Sequence, residues 1–425
     1  MPESPAASDA AGLSVVPFRG VRYDRVPDLA AVTSPPYDVI DADSAAQLEL
    51  LDPHNVVRLI LPRDEAETGT GRYQHAARQL REWLADQTLR RDEEPALYVY
   101  EQFTDGELQR GVLAAVGLRD PADRVVLPHE DVLPGPVADR LDLMRATSAN
   151  LEPILLVYDG GGVTAQIIDQ VAGGPPLAQA RTDDGVLHRL WPVTDAQQQR
   201  AVSADLEHRQ ALIADGHHRY ATYRRLQAEH RAAGHGAGPW DQGLALLVDA
   251  TTYPLRVAAI HRVVAGLALD DAVSAVRSVF KVSDARGSFA DALAILEGAT
   301  GRHPFVLTDG REFSLIEDPD PAALAGAWPP ERSALWRSLD AAVLNDVLLA
   351  RVWGVDDADP RTRYVHVAER AVRLAGRVAG TAVLLRPASV EQVLAVAAAG
   401  ERMPRKSTSF GPKPRTGLVL RLLSD

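Results

Sequence analysis

The residues of this 425-residue chain best suited to chemistry sit in one short string, Asp215-Gly216-His217-His218-Arg219. The string follows the apolar run Ala211-Leu212-Ile213-Ala214 and opens a stretch that can stay helical to about Ala233. Asp215 has the side chain of a helix N-cap, and Gly216 permits a tight turn. A helix that starts here turns N–H groups outward beside two imidazoles and a guanidinium, which makes an anion site. Arg219 suits phosphate because its planar fork meets two oxygens at once. The plainer alternative is that His217 and His218 only cap and pack. Zinc held by the protein is disfavoured, because neighbouring residues on a helix project about 100° apart and no His-Glu-x-x-His spacing occurs. Magnesium carried in by a nucleotide needs only one or two carboxylates, and Asp215 is the candidate ligand.

Three further segments carry usable side chains. In Leu127-Pro128-His129-Glu130-Asp131, Glu130 could act as a general base, and Arg140 shortly after could clamp an anion or a carboxylate; the alternative is a solvated loop with a surface ion pair. In Ser34-Pro35-Pro36-Tyr37-Asp38-Val39-Ile40 the prolines fix an extended approach, and Tyr37 and Asp38 either line a pocket or cap the next helix. The stretch from Glu401 to Pro414 holds Arg402, Arg405, Lys406 and Lys413 among hydroxyls, Pro and Gly. It lies between an apolar helix (390–399) and an apolar strand (417–423), so a basic loop closing over phosphates competes with a simply solvated one.

These segments must be positioned by a scaffold. Apolar spacing predicts a helix over about 73–86, a hairpin from 96–100 and 111–116 around Asp105-Gly106, and strands at 154–158, 187–193, 211–214 and 244–250. The glycine loops at 159–162 and 234–239 are read as lacking the strand-before, helix-after setting of a phosphate cradle. Residues 63–71 read as a polar loop. Past about Ala265 the texture changes, with helices near 270–280 and 289–297, a hairpin through 303–316, a long helix near 332–353, and Pro/Asp loops at 317–321 and 356–360. The expected organisation is a disordered N-terminus over 1–14, a phosphate-binding domain over 15–264, and a second α+β domain over 265–425. The fold class expected is α+β with mixed sheets. Composition narrows function further. Acidic residues outnumber basic ones, 58 to 45, for a net charge of −13, which disfavours nucleic acid as a partner. Cysteine is absent, which removes disulfides, thiolate metal sites and cysteine nucleophiles. No apolar run reaches membrane-span length and the first residues do not read as a signal peptide, so a soluble cytoplasmic protein is expected.

Pro35-Pro36-Tyr37-Asp38-Val39, His129-Glu130, Ala214-Asp215-Gly216-His217-His218-Arg219 and Lys406–Pro414 resemble, in that order, the signature segments of the DUF1015 family, a bacterial and archaeal family of unknown function. The resemblance runs from Val15 over nearly the whole chain. The Asp-Gly-His-His-Arg string also resembles the phosphate-binding box of the ParB/sulfiredoxin superfamily, and free-serine kinases within it carry a similar box. The resemblance implies a ParB/sulfiredoxin-like core that binds nucleotide phosphate at Asp215, Gly216, His217, His218 and Arg219. Where the family often follows His-Glu with Thr and Lys, this chain has Asp131-Val132-Leu133-Pro134. Sulfiredoxin chemistry needs a cysteine, and this chain has none.

The function this implies is a small-molecule kinase using ATP or ADP with Mg2+ and passing phosphate to a hydroxyl of an amino acid such as free L-serine. His217, His218 and Arg219 would hold the donor phosphates, Lys406 or Lys413 would close over them, and Glu130 would take the hydroxyl proton, with His217 and His218 as further acid–base candidates. Tyr37, Asp38, His129 and Arg140 would face the acceptor. Arg219→Ala is expected to abolish transfer and leave the fold intact. Two other readings stand beside it: a nucleotide-sensing module that binds without turnover, and a phosphoester hydrolase using His217 or His218.

Overall fold

Runs such as Ala211–Asp215 and Ile154–Tyr158 are apolar at nearly every position, and such strands form only where both faces of a sheet are covered. A computed structural model describes residues 12–64, 71–356 and 359–424. The expected disorder of the N-terminus lies mostly outside those residues, as do parts of the loops expected at 63–71 and 356–360. Two units make up the chain, Met1–Leu255 together with Pro412–Asp425, and Arg256–Gly411.

The first unit is built on a nine-stranded mixed sheet. In spatial order its strands are Val126–Leu127, Ala211–Asp215, Ile154–Tyr158, Gln242–Asp249, Glu107–Gly117, Leu97–Thr104, Leu187–Val193 and Ala178–Arg181, with Val15–Val16 added on Glu107–Gly117. Most pairings are antiparallel, but Gln242–Asp249 runs parallel to Ile154–Tyr158, and Ala211–Asp215 parallel to Val126–Leu127. Leu156, Ile213 and Leu247 from the sheet share a core with Ile167 and Ile168, Val202 and Leu206, and Tyr220 and Tyr223 from the helices Val163–Ala172, Ala196–Leu206 and His217–Ala232. A smaller sheet, in the order Leu89–Arg91, Gly20–Tyr23, Leu420–Leu422, Ala149–Asn150, carries a second core with Val32, Leu80, Trp83 and Leu143.

The second unit has a six-stranded antiparallel sheet in the order Lys281–Asp284, Phe313–Glu317, Phe305–Thr308, Thr381–Leu385, His261–Val264, Thr362–Val365. A separate ribbon pairs Arg256–Ala258 with Ser409–Gly411. The molecule is thus α+β with mixed sheets. Among the described residues no helix is long and apolar enough to cross a membrane.

Three expectations need correction. The division falls at Arg256 and not at 265, and the segment after Gly411 returns to the first unit, because Leu420–Leu422 completes the small sheet. The long helix expected near 332–353 is broken into Ala334–Arg337, Asp340–Ala342 and a wide π-type helix Val343–Val352. The glycine loop at 159–162 does stand between a strand, Ile154–Tyr158, and a helix, Val163–Ala172. Its cradle is filled from inside the protein: Gly161 N–H donates to the buried Asp249 carboxylate (2.8 Å).

Candidate functional site

The string that opened the sequence analysis follows the second strand of the large sheet, next to the short edge strand Val126–Leu127. Ile213 pairs with Leu156 and Asp215 with Leu155, so Ala214 is an extra residue, a β-bulge immediately before the turn. Gly216 follows at φ 91°, in the left-handed region, and a Cβ there would stand 2.8 Å from Ile154 Cγ2. Only glycine meets both conditions. The helix His217–Ala232 starts at once, with Gly216 as its N-cap and no side-chain cap. Asp215 therefore caps nothing, contrary to expectation.

Its carboxylate is held between two cations instead. Arg219 Nη2 donates to Asp215 Oδ2 (2.5 Å), and Lys413 Nζ lies 2.6 Å from Asp215 Oδ1. Lys413 also donates to Asp38 Oδ2 at 2.8 Å. Two of the four sequence segments are thereby joined by one ammonium group belonging to a third. Burial alone would raise the Asp38 pKa, yet Lys413 and Arg219 hold it below the ordinary value. Burial works against the charge of Lys413, but Asp215 and Asp38 hold its pKa above the ordinary value.

Tyr37 stands beside this cluster in a single 3-10 turn, Tyr37–Val39, while the helix Ala42–Leu51 is capped by Asp41. The Arg140 and Arg219 guanidinium carbons lie 4.4 and 5.9 Å from the Tyr37 ring centre. Burial pushes the Tyr37 hydroxyl up to about 12. Arg140, expected to clamp an anion, is committed to protein: Nε and Nη2 donate to Asp139 and Nη1 to the Ile60 carbonyl.

Sequence reasoning missed Glu152. It lies just ahead of Pro153 and the strand Ile154–Tyr158, is only 5 % exposed, and accepts the Tyr37 backbone N–H at 2.9 Å. Burial raises its pKa despite Arg219 and Arg140. A single carboxylate set between Leu151 and Pro153 was the signal available. Arg219, at 3 % exposure, also donates to the Pro153 carbonyl (2.5 Å), while its Nε is a buried donor with no partner. A cavity of about 30 Å3 touches Arg140, Glu152, Arg219 and Tyr223, enough for one water. With this many partners, Arg219→Ala is expected to destabilise the fold as well as to remove a phosphate ligand, which revises the expectation.

The histidines form a second cluster. His129 Nδ1 lies 2.8 Å from the Ile213 carbonyl, which makes it the protonated nitrogen. The His129 N–H donates to His217 Nε2 (3.3 Å), the two rings meet edge to face at 4.5 Å, and Leu133 N–H donates to His218 Nε2 (3.0 Å). A nitrogen that accepts an N–H carries no proton, so both accepting rings hold theirs on Nδ1. They tie the segment 129–133 to the start of the helix. Glu130 lies half-buried in that segment, before the helix Pro134–Thr147.

Asp215, Gly216, His217, His218 and Arg219 therefore meet Asp38, Tyr37, His129 and Lys413 within the first unit. Lys406 belongs to the second unit, in a turn at φ 53°. For magnesium, Asp215 offers a carboxylate whose two oxygens already face cations, and the described residues contain no group of three or more His, Asp or Glu able to hold an ion.

A family model described as "Protein of unknown function (DUF1015)" matches residues 15–342. No curated protein matches the chain. Among solved structures the chain is similar to a free serine kinase in complex with AMP, at 14 % identity over 72 % of this chain and 92 % of that one, with a TM-score of 0.35. It is similar to C-terminally truncated SbnI from Staphylococcus aureus, at 11 % identity, 72 % and 85 % coverage and a TM-score of 0.36. A conserved hypothetical protein from Pyrococcus furiosus gives 13 %, 73 % and 93 %, and 0.35.

Proposed function

The chain belongs to the DUF1015 family, and on that footing we propose that it is a nucleotide-dependent small-molecule kinase, passing phosphate to a hydroxyl group, with free L-serine the first acceptor to test. One observation carries this reading: Lys413 is held between Asp38 and Asp215 beside the start of the helix His217–Ala232. The first amides of a helix have no partner within it, and they favour an oxyanion. A phosphate arriving there offers Lys413 a further anion and brings it against the helix start. Phosphoryl transfer asks chiefly for such positioning and charge neutralisation.

ATP or ADP with Mg2+ would supply the phosphoryl group. The buried, unpartnered Arg219 Nε is a donor such a ligand could use, and it supports the fit. With Asp215 already paired, magnesium would be carried mainly by the nucleotide. Glu130 is the residue assigned to take the acceptor proton; Asp38 and Tyr37 border the same cluster and would contact the acceptor. His217 and His218 position the 129–133 segment in this reading, because their Nε2 lone pairs are spent on backbone N–H groups. That commitment disfavours the hydrolase reading.

A binding module without turnover is favoured by a different observation: the cations of the site are already paired, so nucleotide would have to displace carboxylates before it could be held. The test is to incubate the full chain with ATP or ADP, Mg2+ and a pool of amino acids. A phosphorylated amino acid, lost by roughly 100-fold or more in Lys413→Met and in Glu130→Gln, is the expected result. Free phosphate alone would indicate a hydrolase, and saturable binding with no product a switch.

A further inference from the structure

The second unit contains a cavity of about 750 Å3 whose walls all come from that unit. Ligand pockets are typically roughly 300–1,000 Å3. Two arginines, Arg302 and Arg386, line it, together with His303, Asp340, Ser389 and Ser407. We propose that this cavity is a second ligand site, independent of the first unit, that takes a small metabolite through a carboxylate or phosphate group.

Four observations support the assignment. Arg386 is fixed in place: its Nη1 donates to the Ala299 carbonyl at 3.1 Å and its Nη2 lies 3.8 Å from Asp340. A guanidinium held this way loses little freedom when an oxyanion arrives. His303 Nδ1 lies 2.9 Å from Asp340 Oδ1, which orients the ring and gives that carboxylate a partner within the protein. The helix Val390–Ala398 starts at the wall, with its cap Ser389 and first-turn Gln392 both lining the cavity, so its positive end lies there. The fourth observation is a buried, unpaired hydroxyl on the wall. Ser407 is 4 % exposed, lines the cavity, and its Oγ has no hydrogen-bond partner. A buried hydroxyl left unpaired is unfavourable, and a bound acceptor that reaches it removes that cost.

The carboxylates present do not cancel this preference. Asp340 is occupied by His303 and Arg386, which leaves Glu297 as the other acidic residue on the wall against Arg302 and Arg386. Ser407 comes from the string that the sequence marked as a phosphate loop, and in the folded chain it lines this cavity.

The test uses the full-length protein and hydrogen exchange, which localises binding. Inorganic phosphate and succinate are titrated separately. The expected result is slower exchange in the segments 297–303 and 385–392 with at least one of them, weakened at least tenfold in Arg386→Gln and unchanged in Lys413→Met. Protection by phosphate alone assigns a phosphorylated ligand, and protection by succinate alone a carboxylate. If Arg386→Gln disturbs exchange throughout the unit, Ser407→Ala takes its place and should weaken binding several-fold. Protection by neither anion, or protection undiminished in these variants, overturns the proposal. The Lys413→Met control separates this result from the fate of the kinase reading.

Discussion

Arg219 illustrates how far a residue's type and its setting can diverge. Its place after Gly216 was legible in the sequence, but its burial against Asp215 and the Pro153 carbonyl was not, because Glu152 and Pro153 lie far away along the chain. Removing one member of a buried pair leaves the other charge unpaired, so Arg219→Ala should cost about 3–5 kcal/mol, read as a lower urea midpoint. Its inactivity would then say little about phosphate, and Lys413, more exposed, is the better probe. A second residue-scale prediction concerns His188. Burial, aided by Arg415, pulls its pKa down to about 4. Its Nδ1 faces the Tyr100 hydroxyl at 2.8 Å, and that hydroxyl accepts the Arg415 N–H. Below pH 6.5 the unfolded chain takes a proton that the folded chain declines. The associated stability is complete above pH 6.5 and is lost as pH falls through 4, by up to about 3 kcal/mol. Chemical denaturation at pH 7 and pH 4.5 should show a smaller drop for His188→Gln than for the native chain.

At the scale of elements, apolar runs located the strands well: Ile154–Tyr158 and Leu187–Val193 coincide with the expected ranges, and Ala211–Asp215 differs by one residue. Periodicity reports the face a segment buries, so it finds strands and helices but not the irregularities between them. The bulge at Ala214 leaves no mark on the apolar pattern, yet it sets the direction in which Asp215 leaves the sheet. The loop at 159–162 was misread because the helix after it, Val163–Ala172, was not predicted, and its filling by Asp249 was hidden because that residue is remote in sequence. A Cβ on Gly160 would fall 1.6 Å from Asp249 Oδ1, so Gly160→Ala must displace a buried carboxylate that also accepts N–H groups from Gly161, Thr251 and Thr252. A loss of about 2–3 kcal/mol is expected, measured by urea denaturation. Gly161, whose added Cβ would meet nothing within 4 Å but which sits at φ 82°, should lose less on the same substitution, about 1 kcal/mol of backbone strain.

On the scale of the whole molecule, the first unit is assembled from two stretches of chain separated by all of the second. The sequence concealed this, because the returning segment is short and its role depends on pairing with Gly20–Tyr23 and Ala149–Asn150. Arg421 anchors it, donating to Asn150 Oδ1 and to the Gln242 and Pro239 carbonyls. Burying a carboxylate at Leu420, which is fully enclosed, should cost at least about 3 kcal/mol. Hydrogen exchange of Leu420→Asp is expected to show loss of protection in Gly20–Tyr23 and Ala149–Asn150 while the sheet of Phe305–Thr308 and Thr381–Leu385 keeps its own. The same arrangement imposes an order of assembly during synthesis. Asp38 and Asp215 leave the ribosome well before Lys413, and at ~5–20 residues per second the intervening unit takes on the order of ten to thirty seconds to make. Throughout that interval the nascent first unit holds two acidic side chains without the ammonium group that joins them, so the site is closed only when translation has passed the second unit.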